Sequence, residues 1–161
     1  MTTDRQTRLA YKRNIRRYLR ELSVLSGRIV TAADLVGVDR VHSILSSARA
    51  IRKQARAAFE MPFEAKSSSP FLRYVETLHQ SNPVPIYIWT PRTNSCGPLQ
   101  LESLKVVNFD FPFRINTEGI VSVVATNCQD EMILDFFEDP EGRQRLEVEL
   151  MGEHWPRVPP R

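Results

Sequence analysis

Three groups of residues have the types and spacing to do chemistry. The densest lies in 131–150, Glu131-Met-Ile-Leu-Asp-Phe-Phe-Glu-Asp-Pro-Glu-Gly-Arg-Gln-Arg-Leu-Glu-Val-Glu-Leu150. Asp139-Pro-Glu-Gly142 is turn chemistry, with proline pre-setting φ at the second position and Gly142 accepting the positive φ of a bulged hairpin. With Asp139 set opposite Arg143, Asp135 falls directly opposite Glu147, and Glu149 lies two residues along the same strand. Like charges facing each other across a ladder destabilise a hairpin by up to about 1 kcal/mol. Carboxylates kept at that cost can serve a cation, an acid–base pair or a basic partner. The blander reading is a solvated sheet face softened by Arg145.

The second group is basic. Residues 1–60 carry a net charge of +8 and residues 61–161 a net charge of −5, so the overall +3 hides two unlike halves. Lys12, Arg13, Arg16, Arg17 and Arg20 fall in one helical stretch, and Arg49, Arg52, Lys53 and Arg56 in another. Such helices can lie along phosphates and give salt-dependent binding without base readout. Residues 30–48 match only half of a helix-turn-helix: Ala33, Val36, Gly37 and Val38 fit, but the core position of the recognition helix falls on Ser43.

The third group is Cys96 within Asn94-Ser-Cys-Gly-Pro98, a loop where a reactive thiol can sit. His42, His79 and His154 are scattered, and there is no HExxH, P-loop or GxGxxG. No metal or cofactor is expected. Cys96 and Cys128 are expected as free thiols.

The elements that must position these groups read as follows. Tyr11, Ile15, Tyr18, Leu22 and Leu25 recur at spacings of 4, 3, 4 and 3, which predicts a helix over 4–26 stopped by Gly27. Thr31-Ala-Ala-Asp34 is a capping box opening a short helix. A third, basic helix is expected from Asp39 to Phe59, antiparallel to the first. Ser69-Pro70 opens a short helix ending before Asn82-Pro83, and Ile86-Tyr-Ile-Trp89 is a strand. Phe109, Phe111, Phe113 and Ile115 alternate as in a strand, although Pro112 restricts it to an edge or a bulge. Strands 120–126 and 131–138, joined by a four-residue turn at 127–130, set Thr126 opposite Glu131.

In the hairpin itself, Met132, Leu134 and Phe136 face Leu150, Val148 and Leu146. The other face collects Ile133, Asp135, Phe137, Arg145, Glu147 and Glu149. A one-residue slip would put Leu146 and Val148 on the face of Asp135, so burial of one face fixes the register. The fold class is α+β: N-terminal antiparallel helices packed with an antiparallel β-meander of four to five strands. Residues 1–63 form a basic helical region. Residues 64–161 form a short helix and the sheet, with an irregular tail, all within one compact domain.

No apolar run is long enough to span a membrane and no signal peptide is evident, which predicts a cytoplasmic protein. The leading functional expectation is a non-catalytic binding protein, such as an immunity protein neutralising a nuclease-type toxin. Its acidic sheet face would occlude a basic protein partner. Ile133, Asp135, Phe137, Arg145, Glu147 and Glu149 are the site residues in that case. The alternative is a nucleic-acid-associated regulator using the nine basic residues named above, and a small enzyme using Cys96 stands third. The sequence leaves the oligomeric state open.

Overall fold

The computed structural model describes residues 2–157, with side chains from Asp4 onward; the last four residues of the expected irregular tail lie outside it. The class is α+β, as the sequence predicts. Four α-helices, α1 (Thr2–Ser26), α2 (Val41–Ala48), α3 (Ser69–Ser81) and α4 (Thr93–Cys96), accompany six strands among the described residues. The strands are β1 (Arg56–Pro62), β2 (Ile86–Trp89), β3 (Leu99–Leu101), β4 (Ile120–Ala125), β5 (Asp130–Glu138) and β6 (Gln144–Gly152). They form one antiparallel sheet in the order β1-β6-β5-β4-β2-β3, slightly wider than expected.

The β5–β6 hairpin has the register read from the sequence. Leu134 pairs with Val148, Asp135 with Glu147, and Phe136 with Leu146. The turn closes through Asp139 N–H donating to Arg143 C=O at 2.9 Å, with Gly142 at φ 77°. The Asp139 carboxylate adds bonds from the backbone N–H groups of Glu141 and Arg143. The β4–β5 pairing keeps the predicted face but shifts by two residues, so Val124, not Thr126, faces Glu131. The loop is 126–129 instead of 127–130, with Cys128 at φ 54° and its N–H bonded to Ala125 C=O. The shift leaves Asp130 at the root of β5, where its carboxylate is consumed internally, as described below.

One face of the sheet carries the main core. Val121, Val123, Met132, Leu134, Leu146, Val148 and Leu150 are all at most 1 % exposed there. Tyr18, Leu22 and Leu25 of α1 and Tyr74, Val75 and Leu78 of α3 join the same cluster. Helix α1 ends where predicted, with Gly27 at φ 67°, and Asn108 caps its last carbonyls, donating to Leu25 C=O and Val24 C=O. The capping box at Thr31 and Asp34 forms around a single 3-10 turn. Helix α3 is capped by Ser68, one residue before the expected position, leaving Pro70 in its first turn.

Two expected elements are corrected. The third helix stops at Ala48; a 3-10 turn at Ile51–Lys53 follows, and residues 56–62 are a strand. Ala57, Phe59 and Met61 pair with Leu150, Val148 and Leu146, so a period-2 pattern was concealed among good helix formers. Seven ladder partners and an edge-to-face contact of Phe59 with Tyr74 outweigh the local helix propensity of Ala and Arg. The expected strand over 104–115 is a 3-10 turn at Leu104–Val106 followed by irregular chain. Pro112 cannot donate to a ladder, and the aromatic rings of this segment pack instead of pairing: Phe111 and Phe113 both lie edge-on to Phe63. The edge position beside β2 is taken by β3, within a stretch not read as a strand.

Candidate functional site

Because side chains alternate across a strand, the registers lay out the second sheet face in rows. The row Arg56–Met151–Glu131–Val124–Tyr87 runs across five strands, and Ala58–Glu149–Ile133–Ser122–Trp89 lies beside it. Next comes Glu60–Glu147–Asp135–Ile120, three carboxylates on three adjacent strands. Pro62–Arg145–Phe137 closes the face. All six residues of the sequence-proposed partner site, Ile133, Asp135, Phe137, Arg145, Glu147 and Glu149, therefore project from this face. Glu60, contributed by the strand that the sequence disguised as helix, extends the like-charge pair to a row of three.

The two ends of this face differ. At one end α2 and the following turn lie over the strands. Ile51, Val124 and Met151 are buried together, with Ala48, Cys128 and Ile133 packed against them. A cleft of about 250 Å³ remains between Ile44, Leu45 and Ala48 on the helix and Trp89, Val124 and Glu131 on the sheet. Glu131 is 5 % exposed, and burial raises its pKa against the opposing pull of Arg52, 3.6 Å away. Arg56 holds Glu149 at 2.8 Å. At the other end, Arg145 Nε holds Glu60 at 2.7 Å, and no cation lies within 4 Å of Asp135 or Glu147 among the described residues. Asp135 is exposed, while Glu147, Phe137 and Ile120 are half-buried beside it.

The basic residues do not form one surface. Lys12, Arg13, Arg16, Arg17 and Arg20 are exposed on α1, which packs on the core face. Arg49, Arg52, Lys53 and Arg56 follow α2 on the opposite face, no longer on one helix side as predicted. Arg52 and Arg56 are engaged by the sheet's own carboxylates.

Cys96 ends α4, with its thiol 2 % exposed. Burial pushes the thiol pKa up, only partly offset by a hydrogen bond shared with Ser95 and the nearby Arg92 charge. That holds the sulfur as thiol, the opposite of what a nucleophile needs. The neighbouring Tyr18 hydroxyl donates to Gly97 C=O at 2.7 Å and pairs with Thr93 Oγ1 at 3.0 Å, fixing α1 on this loop. Both cysteines are free. Among the described residues, no group of three or more His, Cys, Asp or Glu is arranged to hold a metal.

Three buried polar assemblies were not read from the sequence. Asp130, fully buried, accepts from the backbone N–H groups of His154 and Trp155 and from Asn82 Nδ2, with His154 Nδ1 2.9 Å away, pinning the chain after β6. Gly152 makes this possible at φ 127°, since a Cβ there would meet Gln129 C=O at 2.1 Å. Lys66, 2 % exposed, lies with Nζ 3.6 Å from the Phe63 ring centre, and burial lowers its pKa to about 8 while Asp110 and Glu64 pull upward. Glu21 is salt-bridged to Arg92 inside the protein. Glu21 had one available signal: it stands three residues after Tyr18 and four before Leu25, on the apolar side of α1.

Comparison of the chain with family models, with curated proteins and with solved structures gave no match.

Proposed function

We propose that the protein is a non-catalytic binding protein whose open sheet end, centred on Asp135 and Glu147, occludes a basic protein partner. An inhibitor of the immunity type, neutralising a nuclease-type toxin, has this character. The observation that carries the reading is the Glu60–Glu147–Asp135 row, left without a basic partner at two of its three members. Adjacent strands lie about 4.8 Å apart, so three carboxylates in one row repel each other across the ladder. A partner's arginines or lysines would relieve that repulsion, which couples binding to a cost the free protein already bears. Half-buried Phe137 and Ile120 flank the row and offer apolar anchors. Complementary charge speeds the encounter, and the anchors slow dissociation.

The test uses the full-length protein as bait in its native host, followed by calorimetry with the protein recovered. Reversing Asp135 and Glu147 together to lysine should weaken binding by on the order of 2–5 kcal/mol, as for paired charges buried in an interface. Glu153→Lys, at an exposed site beyond β6, should change affinity little. Equal affinity for wild type and the double reversal sinks the proposal.

A second reading, a nucleic-acid-associated regulator, rests on Lys12, Arg13, Arg16, Arg17 and Arg20 of α1, which have no carboxylate within 4 Å among the described residues. Replacing Arg13, Arg16, Arg17 and Arg20 by glutamine would then flatten the salt dependence of DNA binding, by up to about 0.9 in log–log slope for each phosphate no longer neutralised. A wild-type protein that is not retained on DNA or RNA at low salt excludes this reading.

A further inference from the structure

A cleft of about 300 Å³ lies between α1 and the irregular chain before β4, on the opposite side of the sheet from the acidic row. Its cationic lining comes from three places in the sequence: Arg17 and Arg20 from α1, Arg92 from the turn after β2, and Arg114 from the loop. Arg92 is 8 % exposed and forms the floor. A single guanidinium nitrogen, NH1, reaches Glu21 and lies 3.7 Å from Glu118. Buried side-chain nitrogens and oxygens without a hydrogen bond are limited, among the described residues, to Glu21 Oε2 and Trp155 Nε1. The remaining nitrogens of Arg92 are therefore bonded or in contact with solvent, and the residue lines this cleft. Arg17, Arg20 and Arg114 are exposed and have no carboxylate within 4 Å among the described residues.

We propose that this arginine-lined cleft is a binding site for the phosphate group of a small phosphorylated ligand. Glu21 and Glu118 both lie beside Arg92, so the four arginines exceed the nearby carboxylates by two positive charges. Bringing guanidinium groups together over a low-dielectric floor costs energy that a dianion removes. A phosphomonoester carries about −1.5 to −2 charges near pH 7 and offers three oxygens to planar forks, which matches several arginines better than one carboxylate does. Val24, Pro112 and Ile115 add an apolar wall for the organic part of the ligand. Glu21 Oε2 makes no hydrogen bond. Burial raises the Glu21 pKa against the opposing pull of Arg92 and Thr90.

The same phosphate chemistry can come from a free phosphomonoester or from a polynucleotide backbone. Calorimetry at low ionic strength with inorganic phosphate, a nucleoside 5′-monophosphate, and a single-stranded oligonucleotide lacking terminal phosphates separates the two. Phosphate and the monophosphate should compete for one site, and Arg20→Gln and Arg114→Gln should each weaken binding about tenfold, as expected for loss of one charged hydrogen bond. Arg73→Gln, at an exposed position on α3, should leave affinity unchanged. Binding of the oligonucleotide alone, weakened by the same two substitutions, would overturn the small-ligand proposal in favour of a backbone site. Binding that is absent, or equal in wild type and the Arg20→Gln/Arg114→Gln double variant, would overturn the site itself. Both positions are exposed, so these variants fold even where Arg92→Met, which strands Glu21, does not.

Discussion

The two ends of the second sheet face are made by the same central strands and carry the same residue types, yet they are finished differently. At the end beneath α2, every carboxylate has an arginine, Glu131 with Arg52 and Glu149 with Arg56, and apolar Val124, Ile133 and Met151 are covered by Ile51. At the far end, the single arginine, Arg145, turns to Glu60, and Asp135 and Glu147 face each other without a cation. Both ends carry charge; what distinguishes the open end is that the fold leaves its charge uncompensated. The covered end teaches what compensation looks like in this molecule, and the open end stands out against it.

The comparison breaks most visibly across the sheet. Val148→Asp places an unpaired carboxylate at a fully buried position and should abolish folding, an effect of several kcal/mol seen as loss of the cooperative melt. Its neighbour Glu147 points to the open end, and Glu147→Lys should leave the fold intact. Equal damage from both would reverse the assignment of faces. Removing the cover is the next largest change. Ile51→Ala empties a fully buried site and should cost about 2–4 kcal/mol, with new binding of a hydrophobic dye as Val124 and Met151 become accessible.

A sharper and smaller contrast comes from pH. The folded-state pKa of Glu131 is raised by burial above the ordinary 4.5, so it favours folding fully below that value and progressively less as pH rises through the folded pKa. Glu131→Gln should therefore flatten the fall in stability on going from pH 4.5 toward neutrality, measured by denaturant titration at each pH. The smallest effect is expected from Glu147→Lys itself, a stabilisation of at most about 1 kcal/mol from removing like charges across the ladder. A loss of stability of that size would show that the row is compensated after all.

The hairpin that organises the open end was legible because two constraints coincided: a turn with proline and glycine, and one face wholly apolar. Register, faces and the Asp135–Glu147 pairing all followed. Strand β1 was illegible because Ala57, Ala58 and Arg56 favour helix locally, and only β6, far along the chain, supplies the reason for extension. That error also hid Glu60. Thus the sequence revealed two members of the carboxylate row, while the third depended on a long-range pairing. The buried polar residues were hidden for a related reason. Nothing local marks Asp130 as an acceptor for the chain at His154 and Trp155, or Arg92 as the partner of Glu21.

The position of β1 at the sheet edge bears on how the chain is made. Arg56 pairs with Met151, 95 residues later. At a synthesis rate of about 5–20 residues per second, β1 waits on the order of 5–20 s for its partner strand. During that wait, Ala57, Phe59 and Met61 have no sheet to cover them. Arg56, Glu60 and Pro62, spaced along the same seven residues, place charge at the start and within the segment and a residue without an N–H at its close, which discourages pairing with other nascent chains. The helical leaning that misleads a reader of the sequence would serve the chain at this stage, since a transient helical segment hides its backbone donors until the last strand arrives.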